Sequence, residues 1–243
     1  MTNIIDYAHD ETRSFREIPF NEVDALVLAT LAYEDVASIS PTLALDESPT
    51  TSFANSFVSR IRAFEPKHPW IAFRRLWHPP FESVSLKDAD ATLHRSLDAN
   101  DDDKSHDAQI VSLMDESLTH KLLQTAGESP RFAPVRLGAV VEHADIGEQT
   151  QFAAVTFDLT DCNGMRAEER PAPALYVAFR GTDNSLVGWK EDFNMSVRCP
   201  VPSQTQAVEY YRSIDERASS PFAARPASIA LGGHSKGGNL AVY

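Results

Sequence analysis

The sequence predicts an α/β fold, a mostly parallel sheet with flanking helices preceded by a helical N-terminal segment, on three observations. Up to about residue 130 apolar residues recur at helical spacing, whereas from Val135 onward they gather in short runs rich in Val, Phe and Tyr. The later runs are followed by helical stretches, the order expected of strands joined by crossover helices. At 243 residues the chain can also form one sizeable buried core, alone or with an appended cap. The expected organisation is a helical N-terminal or cap region over 1–130 and an incomplete α/β core over 131–243.

Each element has its own local cause. Asn21 before Glu22, with Val23, Leu26, Val27 and Leu31 following, is an N-capped amphipathic helix. Residues 38–51, rich in Ser, Thr and Pro, read as a loop. Phe53, Phe57, Ile61 and Phe64 then give a second helical stripe ended by Pro66 and Pro69, and Trp70, Phe73, Leu76 and Trp77 a short third one closed by Pro79-Pro80. The acidic run around 98–107 is a solvated loop or linker; it lacks the glycine and terminal glutamate of a calcium loop, so no metal site is read there. Ile110, Leu113, Met114, Leu118, Leu122 and Leu123 restore a helical period, which Gly127 and Pro130 are expected to end.

Val135–Glu142, Phe152–Leu159 and Ala174–Phe179 read as strands, the first two as an antiparallel pair across a turn at 145–149. Residues 161–173 form a polar loop. Ser203 with Gln206 is a capping-box pattern for a helix carrying Ala207, Tyr210, Tyr211 and Ile214. Ser228–Gly232 is a small buried strand, and a helix begins at Lys236.

Composition narrows the partners. With 35 acidic against 22 basic residues the formal charge is −13, which repels nucleic acid and anionic lipid surfaces. Cys162 and Cys199 fit neither a disulfide framework nor a zinc site and read as free thiols of a reducing compartment. The N-terminus has no signal-peptide pattern, and the longest apolar run, residues 25–33, is about half a bilayer span. A cytoplasmic protein without stable membrane insertion is expected; the residues fix no oligomeric state.

Gly233-His234-Ser235-Lys236-Gly237 fits the Gly-x-Ser-x-Gly nucleophile elbow of α/β-hydrolases, a sharp strand-to-helix turn that lifts a serine into the open. Gly233 and Gly237 suit it because the strand and helix backbones approach closely on either side of the serine. The flanking sequence supports that reading, with a core strand before it and Asn239-Leu240-Ala241-Val242 as a helix after it. The bland alternative is a glycine-rich β-to-α turn with an incidental serine. Acyl transfer also needs donors for the developing oxyanion, one of them the N–H after the nucleophile, here that of Lys236. The second is assigned to Thr182, which follows Gly181 where the strand 175–179 runs into a turn. That Arg-Gly-Thr-Asp turn also reads as ordinary turn chemistry.

Phe179-Arg180-Gly181-Thr182 with Trp189 and Asp192, and the block Gly233 to Ala241, together resemble a family of lipase-like bacterial α/β-hydrolase proteins of unknown function, related to the fungal-type triacylglycerol lipases. Asn3 to Tyr7 and Pro19 to Asp24 resemble the amino end of that family, while residues 83–130 carry no resemblance. The resemblance implies a partial α/β-hydrolase fold, Ser235 as nucleophile and Thr182 in the oxyanion hole; a small-molecule or lipid-like ester is the expected substrate. The serine mechanism requires no cofactor.

In this fold the catalytic acid and histidine follow the serine in chain order, yet Lys236 to Tyr243 contain neither. All eight histidines precede Ser235, and His234 sits beside it in a turn whose neighbouring side chains point apart. The expectation is a fragment of a longer hydrolase, nearly inactive as it stands. The alternatives are a non-catalytic protein using the fold as a binding or interaction module, and a membrane-surface role for apolar N-terminal helices acting as a lid or cap.

Overall fold

The computed structural model describes residues 3–40, 42–43, 81–100, 116–147, 149–160, 162, 173–182, 186–219 and 228–243. Among them are eight helices, α1 (Ile4–Asp10), α2 (Glu22–Leu31), α3 (Val36–Ile39), α4 (Leu86–Asn100), α5 (Glu116–Glu128), α6 (Leu186–Met195), α7 (Pro202–Ala218) and α8 (Lys236–Val242). Five strands, β1 (Ser83–Ser85), β2 (Arg136–Asp145), β3 (Thr150–Asp158), β4 (Leu175–Phe179) and β5 (Ile229–Gly233), form one sheet in the order β1-β2-β3-β4-β5. The helical stripes read at 53–64 and 70–77 lie outside the described residues, as do residues 110–115 of the stripe that ends in α5.

The sheet is mixed and mostly antiparallel, which corrects the expectation of a mostly parallel one. Every pairing from β1 to β4 is antiparallel, and only β4 and β5 run parallel. Connections decide this. The short turn between β2 and β3 can only reverse the chain, while α6 and α7 between β4 and β5 give the length a parallel crossover requires.

Period-two alternation places the core on both faces. Tyr176 and Ala178 of β4, with Val155 and Phe157 of β3, join Val27, Leu28 and Leu31 of α2, Leu86 and Ala89 of α4, and Leu122, Leu123 and Ala126 of α5. Leu175, Val177 and Phe179 of β4 and Phe152 and Ala154 of β3 face Ala207, Tyr210 and Ile214 of α7 and Leu240 of α8. The flanking helices are thus present on both sides. Tyr210 is fully buried, donates to Ala139 O at 2.7 Å and shares a 2.7 Å bond with Thr156 Oγ1, and burial pushes its phenol up. Ala139 has φ 53° at the register shift between Gly138 and Val141, so the tyrosine is bonded to a bulge.

Two local expectations shift. The helix read from Ser203 opens at Pro202, a residue suited to a first helical position, and Gln204 rather than Gln206 accepts from the N-cap, Val201 N–H, at 2.9 Å. Gly127 lies inside α5 instead of ending it, and its lack of a side chain serves packing: a Cβ there would stand 3.0 Å from Asp90 Cβ where α4 crosses. The cap at Asn21 forms as read, its side chain accepting from Val23 N and Asp24 N. Asp24 also takes both Nε and Nη2 of fully buried Arg131, at 2.8 and 2.6 Å, which ties α2 to the segment entering β2. No helix among the described residues is long and apolar enough to cross a membrane.

Candidate active site

The parallel register of β4 and β5 pairs Phe179 with Gly233, so both strands end at one edge of the sheet. The next residues along each, Arg180-Gly181-Thr182 and His234-Ser235, therefore emerge side by side. Open α/β sheets place their ligand sites at such carboxyl ends.

Ser235 has φ 58° and ψ −125°, a conformation that L residues avoid, at the point where β5 turns into α8. Its neighbours explain how the turn is accommodated. A Cβ on Gly233 would stand 2.5 Å from Gly237 C and from Phe179 O, and a Cβ on Gly237 would strike Phe179 O and lie 2.8 Å from Phe179 C. Helix α8 crosses the ends of both strands at backbone contact, which only glycine permits. The turn is closed by Gly237 N–H to His234 O and Gly238 N–H to Ser235 O, each 3.0 Å. Ser235 is exposed, and its Oγ has no hydrogen-bond partner among the described residues.

A Cβ built on Gly181 would lie 2.5 Å from His234 O and 3.1 Å from Ser235 Cβ, so the turn after β4 abuts the elbow. Thr182 follows it, buried, its hydroxyl donating to Asp192 Oδ2 at 2.6 Å. The N–H of Lys236 begins α8, where helix geometry leaves it without an intrahelical partner. Three positions chosen from sequence, 182, 235 and 236, thus share one strand edge.

The Lys236 side chain points inward. Its Nζ donates to Gln151 O at 2.7 Å and lies 3.0 Å from Glu191 Oε2. Glu191, completely buried on α6, also accepts from Thr150 Oγ1 at 3.1 Å and from Gln151 N and Ser203 N at 3.0 Å each. Burial alone would raise its carboxyl, but the Lys236 ammonium and the N–H groups of Gln151 and Ser203 outweigh that and hold it below the usual range. One carboxylate therefore joins β3, α6, α7 and α8 beneath the elbow. Sequence reading did not select Glu191; an acidic residue in a polar stretch carries no sign of burial. Asp192 entered only through a resemblance.

Tyr33, just beyond α2, is a further residue the sequence did not disclose. Its oxygen accepts from Gly181 N–H at 3.0 Å and lies 3.2 Å from His234 Nδ1. Burial raises its phenol, partly offset by the Gly181 N–H and the charge of Arg180. Arg180 pairs with Glu142 at 2.7 Å on the rim.

The described histidines are engaged elsewhere: His9 with Asp10, His94 with Asp90, His120 with Glu34, His143 with Gln206 and His234 with Tyr33. His68, His78 and His106 lie outside the described residues. Among the described residues no three His, Cys, Asp or Glu side chains gather as a metal site would need, and Cys162 and Cys199 form no disulfide. Outward on α6, next in the chain to the Thr182 turn, Leu186, Trp189 and Phe193 are 71%, 47% and 73% exposed.

A family model, Mbeg1-like, matches residues 126–243, a stretch that contains β2 to β5, α6 to α8 and the elbow, and that family is related to lipase-like proteins. No curated protein and no solved structure matches the chain.

Proposed function

We propose that this chain carries the nucleophile and oxyanion hole of a lipase- or esterase-type serine hydrolase built on part of an α/β-hydrolase fold. Ser235 Oγ attacks the ester carbonyl carbon, the alcohol departs with a proton, and water hydrolyses the acyl-serine. The developing oxyanion is held by the N–H groups of Thr182 and Lys236. The observation that carries this reading is the strained, exposed Ser235 at a strand end, with Gly181 packed against its Cβ. The lipase-like family match over the same segment supports it.

The substrate in this reading is a small or lipid-like ester. Three large apolar side chains open to solvent on α6 suit an acyl chain better than a charged ligand. No cofactor is needed. Among the described residues no histidine is bonded to Ser235 Oγ; without a general base, turnover falls to roughly 10³- to 10⁴-fold over water from the oxyanion hole and binding.

That same missing contact favours a second reading, a binding module that keeps the fold without the chemistry. A fluorophosphonate separates them. In the natural full-length protein the hydrolase reading expects one phosphonylated residue, Ser235, and no label in Ser235→Ala; label that survives the substitution, or none in the wild type, refutes it.

A further inference from the structure

We infer that Tyr33 is a positioning residue for the oxyanion hole, contributed by the N-terminal helical region that lies outside the Mbeg1-like match. The inference rests on the hydrolase reading and names a residue which that reading does not need. Residues 126–243 carry Ser235, Thr182 and Lys236, yet the turn holding Thr182 is tied to the elbow by an oxygen from beyond that stretch.

The hydrogen-bond arithmetic is specific. Tyr33 Oη accepts the Gly181 N–H at 3.0 Å, so its own proton must be donated elsewhere. The available acceptors are His234 Nδ1 at 3.2 Å and His234 O at 3.4 Å, both in the residue before the nucleophile. The rings of Tyr33 and His234 meet edge to face at 5.9 Å, and Tyr33 is 6% exposed, which holds the oxygen in place. A Cβ on Gly181 would collide with the same oxygen. One phenol thus sets the spacing between the turn that presents Thr182 N–H and the turn that presents Ser235. Without it the Gly181 N–H loses its acceptor and the Arg180–Gly181 peptide is released, which loosens the next peptide along, the one that carries the Thr182 N–H.

An oxyanion hole works because its donors are aimed before charge develops. A residue that aims a donor should therefore affect the maximal rate and leave ground-state binding alone. Removing a donor outright costs about 10²- to 10³-fold, so loosening one should cost about tenfold.

The test uses Tyr33→Phe in the natural full-length protein, which removes the hydroxyl and keeps the ring against His234. Expected results are a maximal rate of Ser235 phosphonylation by a fluorophosphonate about tenfold lower, an unchanged half-saturation concentration, and a melting midpoint above the assay temperature. Amide exchange at Gly181 should be slow in the wild type and about five- to tenfold faster in the variant. A folded variant that labels at the wild-type rate overturns the inference and leaves the hydrolase reading standing, as does a loss confined to half-saturation. Rapid Gly181 exchange in the wild type overturns it whether or not the variant folds. A wild type that takes no label at Ser235 overturns the hydrolase reading, and the positioning role of Tyr33 with it.

Discussion

Lys236→Met is the most informative single change beneath the elbow. It keeps the length of the side chain, leaves the Lys236 N–H in place, and deletes an ammonium that touches Glu191 Oε2 and Gln151 O. Both charged groups are almost wholly buried, with side-chain exposures of 2% and 0%. Breaking such a pair costs about 3–5 kcal/mol, because the survivor is a charge without its counter-ion. Glu191 keeps three other donors, Thr150 Oγ1, Gln151 N and Ser203 N, so about 3 kcal/mol is the expectation. For a protein of this size that lowers the melting midpoint by roughly 6–12 °C in a calorimetric or fluorescence melt. In the wild type the folded Glu191 titrates below its unfolded value, so the pair stabilises above about pH 4.3 and its contribution is lost as pH falls through the lowered folded value. In Lys236→Met the lowering by the ammonium is gone while burial still raises the carboxyl, so the folded value moves up from its wild-type position. The deficit should then be largest at neutral pH and shrink as pH approaches the range where carboxylates protonate. A deficit below about 1 kcal/mol, or one constant from pH 7 to 4.5, would refute the account of Glu191 as a buried charge balanced by Lys236. So would strict additivity with Glu191→Gln in a double-mutant cycle, since partners in contact couple by about 0.5–3 kcal/mol.

Three further outcomes can be checked. Gly237→Ala forces a methyl onto Phe179 O, a backbone atom that cannot turn aside, and should cost about 3 kcal/mol in urea denaturation while abolishing Ser235 labelling; wild-type labelling would mean the elbow has room. Arg131→Met strands Asp24, which is fully buried, and should lower stability by about 3–5 kcal/mol without changing the labelling rate per folded molecule. Thr182→Val deletes the hydroxyl that anchors the turn to Asp192 Oδ2 while keeping the N–H; phosphonylation should slow about tenfold with the melting midpoint near the wild-type value, and an unchanged rate would show that the bond to Asp192 does not aim the donor.

What could be read from the residues was whatever short-range chemistry decides. The cap at Asn21, the strands read at 135–142, 152–159, 174–179 and 228–232, each within three residues of its observed bounds, and the hairpin between the first two all follow from neighbours a few positions apart. The turn at Ser235 belongs with them, since the glycines that admit its backbone lie two positions away on either side. Strand direction was not legible in the same way. Helices cover both faces of β3 and β4, so both strands are buried along nearly their whole length, and the apolar runs Phe152–Val155 and Leu175–Phe179 look the same in a parallel or an antiparallel sheet.

The sequence by itself determined where the chain can bend and which residues shun water, because conformational freedom and hydropathy belong to single residues. Only the tertiary structure decided that Tyr33 would cap Gly181, that Glu191 would lie buried under Lys236, and that β3 would run against β4. Those outcomes depend on which distant groups a closing core leaves without water, and a buried donor or charge must then take whichever partner the packing has brought within 3 Å or so.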